Sequence, residues 1–172
     1  WDSPNKIIGP TLPEVSEYTI EFYLRNTGNF NTYAGVYGGW GGFNSDDINS
    51  NGNNLLTNPG SLGGINTGDI GLDDGNWHHI AFIYDGSYFS IYQNGVRISY
   101  VARQFSIQSQ SFYIAARNNY RGFKGEFDEF RISDTARYTE NFTPQTTPFE
   151  SDEYTLVLYH FDENGDDPRK TG

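Results

Sequence analysis

Cysteine is absent from this chain of 172 residues. The chain can therefore form no disulfide framework, no thiolate zinc site and no cysteine nucleophile. This composition is compatible with the cytosol and equally with a bacterial or viral surface protein that does not depend on disulfides. It argues against a small secreted animal module.

Basic side chains are scarce as well: 11 Lys and Arg stand against 22 Asp and Glu, for a net charge of −11. A strongly acidic chain repels phosphate backbones, which excludes nucleic acid as an expected partner. An excess of carboxylates suits hard cations such as Ca²⁺. The alternative is that the acidity serves only solubility.

Histidine is limited to three residues. His78 and His79 are neighbours in a predicted strand, and successive side chains of a strand point to opposite faces. The two imidazoles are therefore not expected to bind one metal ion together.

Long hydrophobic runs are missing, since none approaches the roughly 18 residues that a membrane helix needs. We therefore expect no membrane insertion. The sequence starts at Trp1, with neither an initiator Met nor a signal peptide, so we expect it to be part of a larger multidomain protein. Its length predicts a single domain over residues 1–172, with residues 162–172 either a linker or the start of a following module.

Two dipeptides, Asp85-Gly86 and Asn94-Gly95, divide the stretch from Trp77 to Tyr100 into three runs rich in β-branched and aromatic residues. Tight hairpin turns need positive φ angles, which Asn, Asp and Gly tolerate best. Side-chain character alternates with period two in these runs, which is typical of strands. The sequence predicts an antiparallel meander at the centre of an all-β chain.

The alternation continues on both sides of the meander and predicts roughly ten to thirteen strands with almost no helix. Two packed antiparallel sheets would accommodate this number. In the strand Tyr18–Arg25, the face with Phe22 is expected to be core. The opposite face, with Glu21 and Arg25, is expected to be solvated and to carry a cross-strand ion pair.

Three further expectations concern the C-terminal third of the chain. In the strand Phe123–Ser133, Asp128 is expected to share its face with Phe130. Residues Asp134–Tyr138 are expected to form a short helical turn, with Asp134 as its N-cap. The stretch Tyr154–Phe161 is apolar on both sides, which is typical of a central strand.

Five polar or aromatic residues are candidate ligand contacts. Trp40 is flanked by paired glycines, so it is either an exposed platform beside Tyr37 or a buried ring that fills space. Asn119, Tyr120 and Arg121 combine an amide, a ring and a guanidinium, the composition that grips sugar hydroxyls. A plain hairpin loop is the alternative for that segment.

An ordered set of motifs runs through most of the chain. It consists of Tyr18-Thr19-Ile20-Glu21-Phe22, Trp77-His78-His79-Ile80-Ala81, Asp85-Gly86, Tyr92-Gln93-Asn94-Gly95, Phe112-Tyr113-Ile114, Phe123 to Ser133, Ala136-Arg137-Tyr138, Phe142-Thr143-Pro144 and Thr155 to Asp162. The set resembles the laminin G-like, concanavalin A-like module of bacterial and phage surface proteins.

The resemblance implies a concanavalin A-like jelly-roll sandwich of two curved antiparallel sheets, extracellular, often binding glycans and often holding a structural calcium ion. By the same resemblance, a calcium ion is expected at the rim, bound by Asp128, Asp162 and backbone carbonyls. A carboxylate on a buried face needs a metal or a charge partner. In the alternative, Asp128 pairs with Arg131 or Arg137 and no metal binds.

Related jelly rolls include glycoside hydrolases whose catalytic glutamates lie on one strand, as Glu-x-Asp-x-Glu or Glu-x-Asp-x-x-Glu. Here Glu126 and Asp128 begin such a pattern, but Phe130 or Arg131 stands where the final acid is needed. Glu129 is adjacent to Asp128 and is expected on the opposite face. We therefore predict no catalytic residue and no enzymatic activity.

Together these observations favour a non-catalytic, lectin-like module of a larger extracellular, secreted or surface-exposed protein, on a cell or a virion. Its partner would be a glycan or polysaccharide, contacted by Tyr37, Trp40, Asn119, Tyr120 and Arg121. The alternative, from another class, is a structural or protein-binding adhesion or tail-fibre module with no sugar site.

Overall fold

The computed structural model describes residues 7–27, 34–39, 47–51, 53–58, 64–102, 111–115 and 124–162. Within these ranges the chain forms twelve strands and no helix, so the predicted all-β class and strand number are confirmed. The strands are β1 (Ile7–Ile8), β2 (Tyr18–Asn26), β3 (Ala34–Gly39), β4 (Asp47–Asn51), β5 (Asn54–Asn58), β6 (Ile65–Asn66), β7 (Trp77–Tyr84), β8 (Tyr88–Gln93), β9 (Val96–Ala102), β10 (Phe112–Ile114), β11 (Gly125–Ser133) and β12 (Thr155–Tyr159).

The strands divide between two compact units, and each unit is built on one six-stranded antiparallel sheet. The first sheet has the strand order β1-β10-β3-β4-β5-β6, and the second has the order β12-β11-β2-β7-β8-β9. Each sheet contains strands that follow one another in the sequence, β3-β4-β5-β6 or β7-β8-β9, and neighbours that are far apart in it, such as β10-β3 or β11-β2.

The first sheet brings β1 and β10 together by a close backbone approach. Gly9 donates its N–H to the Phe112 carbonyl over 2.9 Å. A Cβ at Gly9 would lie 2.0 Å from the Phe112 ring, so only glycine fits there. On the other side, Tyr113 of β10 pairs with Gly38 of β3, and the Phe112 ring packs against Tyr37 with centroids 5.6 Å apart.

The second sheet is built round β2, whose residue Phe22 pairs with Ile80 of β7. The Phe22 ring stacks with Phe130 of β11 at 5.8 Å and with Phe82 of β7 at 6.3 Å. All of these apolar side chains are fully buried. The predicted core face of β2 is therefore confirmed.

The two predicted turns of the meander are also confirmed. Asn94 and Gly95 have φ values of 49° and 77°, the two positive angles that a type I′ hairpin turn requires. At the other turn, the Asp85 carboxylate accepts hydrogen bonds from the N–H groups of Ser87 and Tyr88, over 2.9 and 2.7 Å. The side chain of Asp85 thereby stabilises the entry into β8.

The prediction that Asp128 shares a face with Phe130 is wrong, because the alternation of side chains in β11 is interrupted. Phe127 and Phe130 are three residues apart, yet both rings contact Phe22, at 5.6 and 5.8 Å. Regular period-two alternation would separate them onto opposite faces. Glu129 lies at this interruption, with a φ of 51°. The alternation of side chains between the two faces therefore shifts by one residue at Glu129.

Two other local predictions are wrong. Residues Asp134–Tyr138 form no helical turn, because a side chain of β2 takes their backbone groups. The Thr19 hydroxyl donates to the Thr135 carbonyl over 2.7 Å and accepts the Arg137 N–H over 2.9 Å. Strand β12 lies at the end of the second sheet's order instead of at its centre. Its apolar rings are covered locally, since Tyr159 stacks on Phe161 at 5.7 Å.

Candidate functional site

The face of β2 that was expected to be solvated is covered. Thr19 and Glu21 have no exposed surface, and Tyr23 is buried as well. The segment 135–150 crosses this face, and the Tyr23 hydroxyl donates to the carbonyl of Gln145 over 2.5 Å. The expectation of a solvated face is therefore wrong: an irregular segment supplies the cover that a strand pattern alone does not predict.

A charged cluster lies under this cover, centred on the carboxylate of Glu21. One of its oxygens accepts two hydrogen bonds from the Arg131 guanidinium, over 2.9 and 2.6 Å. The other accepts from the Tyr138 hydroxyl over 3.0 Å and from His79 Nε2 over 3.1 Å. Arg137 Nε lies 4.0 Å from the carboxylate. Glu21 is thus bound by four side chains from three parts of the chain.

These contacts set the ionisation of the cluster. Burial by itself would raise the pKa of Glu21, but the hydrogen bond from His79 and the charge of Arg131 outweigh it, so the pKa lies below its ordinary value. Burial and the neighbouring charge of Glu21 raise the pKa of the Tyr138 phenol well above its ordinary value. Glu21 is therefore an anion and Tyr138 a neutral donor at physiological pH.

The histidine of this cluster is enclosed by rings. His79 contacts Tyr23 at 5.0 Å, Phe142 at 5.6 Å and Phe149 at 6.2 Å between centroids. His78 points to the other side, where its Nδ1 lies within hydrogen-bond distance of the Gln93 and Asn94 amides. The prediction that the two adjacent histidine side chains point to opposite faces is confirmed.

An open cleft of about 640 Å³ lies beside the covered cluster in the second unit. Its walls come from the end of β11, from the crossing segment and from the residues that precede β12. The lining residues are Arg131, Thr135, Ala136, Arg137, Tyr138, Gln145, Glu150, Ser151, Asp152 and Tyr154.

A bidentate ion pair crosses the wall of this cleft. Arg137 donates from Nη1 and Nη2 to the two oxygens of Asp152, over 2.9 and 2.6 Å. The hydrogen bond from Arg137 holds the pKa of Asp152 well below its ordinary range, and that pair also raises the pKa of Arg137 against the opposing effect of burial. The Tyr154 ring is 47% exposed at the rim. The cleft therefore offers fixed donors, fixed acceptors and one open aromatic face.

Most of the predicted ligand contacts lie outside the described residues: Trp40, Asn119, Tyr120 and Arg121. Tyr37 is described, and its side chain is 2% exposed in the first sheet. As ligand contacts, all five stay predictions.

The two predicted calcium ligands, Asp128 and Asp162, lie near one end of the β11–β12 pair in the chain. The N–H of Glu129 faces the carbonyl of His160 over 3.5 Å, and Asp128 and Asp162 lie one residue before and two residues after this pair. Asp128 is buried and Asp162 is exposed. In the described part of the chain, no three Asp, Glu or His side chains group as metal ligands. Calcium at this position stays a prediction.

The charge-pairing alternative for Asp128 stays a prediction, as the calcium ion does. Arg131 pairs with Glu21, and Arg137 pairs with Asp152. Sequence reasoning also missed the cleft, because its residues come from irregular backbone. The available signal was the presence of three aromatic side chains, Tyr138, Phe142 and Phe149, in a segment otherwise rich in Pro and Thr.

The family of this chain is shown by comparison with known proteins. Two-sheet, all-β folds of this kind are mostly non-catalytic binding modules. The chain belongs to the concanavalin A-like lectin/glucanase superfamily, because a laminin G family model of that description matches residues 5–141. The predicted family and the predicted fold class, a concanavalin A-like jelly roll, are thereby confirmed. No curated protein matches the sequence.

Solved structures agree on the fold. A candidate carbohydrate-binding protein of Bacteroides ovatus aligns with a TM-score of 0.69 and 18% identity over 95% of this chain and 51% of its own. A native heptameric SAP-like pentraxin of Limulus polyphemus aligns at 0.61 and 16%, over 81% and 75%. Domain 4 of AbnA, a GH43 extracellular arabinanase of Geobacillus stearothermophilus solved with arabinotriose, aligns at 0.57 and 22%, over 73% and 66%.

The chain spans about half the length of the Bacteroides protein. A search of the described residues for a helix long and apolar enough to cross a membrane found none.

Proposed function

We propose that this chain is a non-catalytic, lectin-like module that binds a carbohydrate in the cleft of its second unit. The observation that carries the proposal is the chemistry of the cleft wall. The Arg137–Asp152 pair presents fixed donors and acceptors beside the half-exposed ring of Tyr154. Sugar sites combine an aromatic face with convergent polar groups in this way.

The charges of the cleft favour a ligand rich in hydroxyl groups. Arg131 and Arg137 are each bound to a carboxylate, so the wall carries no excess of positive charge. Carboxylate oxygens accept from sugar hydroxyls, and the remaining guanidinium N–H groups donate to them. Because the buried cluster holds Arg131 and Tyr138 in position, little side-chain entropy would be lost on binding.

The acidic residues of β11 support binding without catalysis. Glu126 lies 2.5 Å from the guanidinium of Arg25. Glu129 is buried, accepts the N–H of Phe149 over 2.6 Å and lies 2.8 Å from His160 Nδ1. Retaining glycosidases need two carboxyl groups about 5–5.5 Å apart across the scissile bond. Both glutamates already have protein partners.

Similarity in fold to other proteins also supports the proposal. The Bacteroides protein is a candidate carbohydrate-binding protein, and the Geobacillus domain was solved with arabinotriose. Both are similar in fold and longer than this chain. We propose on this basis that the chain is one module of an extracellular or surface-exposed protein.

We also propose a structural calcium ion at the end of the β11–β12 pair, with Asp128 and Asp162 as ligands. The support is that both residues lie within two positions of the backbone contact between Glu129 and His160. An ion at this position would neutralise the buried Asp128 and tie the end of β12 to β11.

A glycan array run with and without calcium tests the function, followed by titration of the best glycan. Tyr154→Ala should weaken binding roughly 2- to 10-fold through loss of ring stacking. Val96→Ala, which removes an exposed apolar side chain outside the cleft, should leave affinity unchanged. Loss of binding with a chelator would support the ion.

Three outcomes would contradict the proposal. A blank array from folded protein would favour the structural or protein-binding alternative. Loss of affinity in Trp40→Ala or Tyr120→Ala, but not in Tyr154→Ala, would assign the sugar site to those residues instead of the cleft. Equal binding with calcium and with chelator would show that glycan binding does not depend on the proposed ion.

A further inference from the structure

Outside the cleft, the outer strands of the second sheet carry a short ladder of flat side chains, formed by Tyr88, Tyr100 and Arg97. The Tyr88 and Tyr100 rings stack with centroids 4.5 Å apart and an interplanar angle of 8°. The Arg97 guanidinium lies 4.6 Å from the centroid of the Tyr100 ring. Tyr88 is 39% exposed and Tyr100 is 50% exposed.

The guanidinium of this ladder is held in position by neutral groups. Arg97 Nη1 donates to the Thr139 carbonyl over 3.0 Å, and the Arg97 backbone N–H donates to Asn141 Oδ1 over 2.9 Å. These contacts and the Tyr100 ring fix the plane of the guanidinium without neutralising its charge. Its remaining N–H donors have no partner among the described residues and face solvent.

Arg97 differs in this respect from the other arginines that the structure describes. Arg25 pairs with Glu126, Arg131 pairs with Glu21, and Arg137 pairs with Asp152. A chain with a net charge of −11 has carboxylates in excess, yet none lies within 4 Å of Arg97 in the described ranges. An exposed, oriented and unpaired guanidinium is a ready donor for an external carboxylate, which it can bind through two parallel hydrogen bonds.

We propose that the Tyr88–Tyr100–Arg97 ladder is a second ligand site, which binds a sugar residue bearing a carboxylate. The guanidinium takes the carboxylate, and the two exposed phenol groups exchange hydrogen bonds with the neighbouring hydroxyls. The acidity of the chain opposes polyanions at long range, whereas screening at physiological salt reaches about 8 Å and lets a single charge approach. A glycan with one terminal acidic residue therefore fits better than a polyacid.

Calorimetric titration with matched pairs of glycans tests the ladder. Sialyllactose is compared with lactose, and a trisaccharide ending in glucuronic acid is compared with its neutral counterpart ending in glucose, which separates the two sources of a sugar carboxylate. We expect at least one acidic glycan to bind more tightly than its neutral partner. Arg97→Gln should weaken that binding about 10-fold or more, the effect of losing a charged hydrogen bond.

Two controls separate the ladder from the whole-protein charge and from the cleft. Lys124→Gln removes one exposed positive charge elsewhere and should change affinity less than 2-fold, about the effect of a screened distant charge. Tyr154→Ala alters the cleft and should leave the difference between acidic and neutral glycans intact. Tyr88→Ala serves as a second ladder variant that keeps the guanidinium, and it should weaken binding by several-fold. Melting curves establish that each variant is folded.

Several results would overturn the proposal. These are an absence of preference for either acidic glycan, an equal loss in Arg97→Gln and Lys124→Gln, and loss of the preference in Tyr154→Ala. Equal, Arg97-dependent binding of a short polyglutamate peptide would also overturn it, because the site would then be a general carboxylate or protein-binding surface.

Discussion

Replacement of Glu21 by glutamine tests how much the buried charge cluster contributes to stability. The amide would keep the volume of the side chain but not its charge, and Arg131, whose side chain is only 7% exposed, would lose its anionic partner. Breaking a buried ion pair by removing one partner costs about 3–5 kcal/mol. The low end applies here, because His79 and Tyr138 can reverse their hydrogen bonds towards an amide. We expect a loss of about 3 kcal/mol.

The assay is urea denaturation at neutral pH, combined with thermal unfolding. For a protein of this size, about 3 kcal/mol corresponds to a melting temperature lowered by roughly 6–12 °C. The matched control is Glu126→Gln, the same substitution in an ion pair with Arg25 whose two side chains are about a third and half exposed. An exposed pair contributes about 0–1 kcal/mol, so this control should be nearly neutral.

If Glu21→Gln lowers stability no more than Glu126→Gln does, or raises it, the buried charge cluster makes no net contribution to stability. In that case the desolvation of Glu21 and Arg131 would exceed their attraction, and the cluster would not hold the crossing segment on β2.

The remaining predictions concern a turn and the acid limb of stability. A Cβ at Gly95 would lie 1.9 Å from the Phe142 carbonyl oxygen, whereas a Cβ at Gly68 would meet nothing within 4 Å, and both residues have positive φ. In chemical denaturation, Gly68→Ala should cost about 1–2 kcal/mol, and Gly95→Ala at least about 1 kcal/mol more; equal losses would contradict the clash. Because Arg137 lowers the pKa of Asp152 in the folded state, the contribution of this carboxylate is complete above its unfolded pKa of about 3.9 and is lost as pH falls towards the folded value. Stability should therefore decline below about pH 4, and Asp152→Asn should flatten that decline; an unchanged acid limb in the variant would assign it to other carboxylates.

The positions of the strands and of the meander turns along the chain are the part of the fold that the sequence predicts best. Strand periodicity and the two turn dipeptides depend on φ preferences and side-chain direction over a few residues, and both turns appear as predicted at Asp85 and at Asn94-Gly95. The ordered motifs likewise identify the family that the comparison confirms for residues 5–141.

Predictions from local sequence were wrong where the environment of a residue depends on distant segments of the chain. The break at Glu129 changes the faces of β11, although nothing in the Phe-Asp-Glu-Phe pattern requires a positive φ there. Asp134–Tyr138 has a helix-capping residue, but the Thr19 hydroxyl, more than a hundred residues away, takes the backbone groups that a helix would use.

The all-β class, the hairpins of the meander and the family could therefore be predicted from the amino-acid sequence, because each depends on short-range geometry or on motif order. The burial of Glu21 could not be predicted in this way, because its partners Arg131 and His79 lie 110 and 58 residues away in the chain. The cleft and the contacts of Arg97, which include no carboxylate among the described residues, likewise depend on the folded chain. Burial and charge pairing are properties of which segments meet in space, and a pattern with a period of two carries no information about the segment that will cross it.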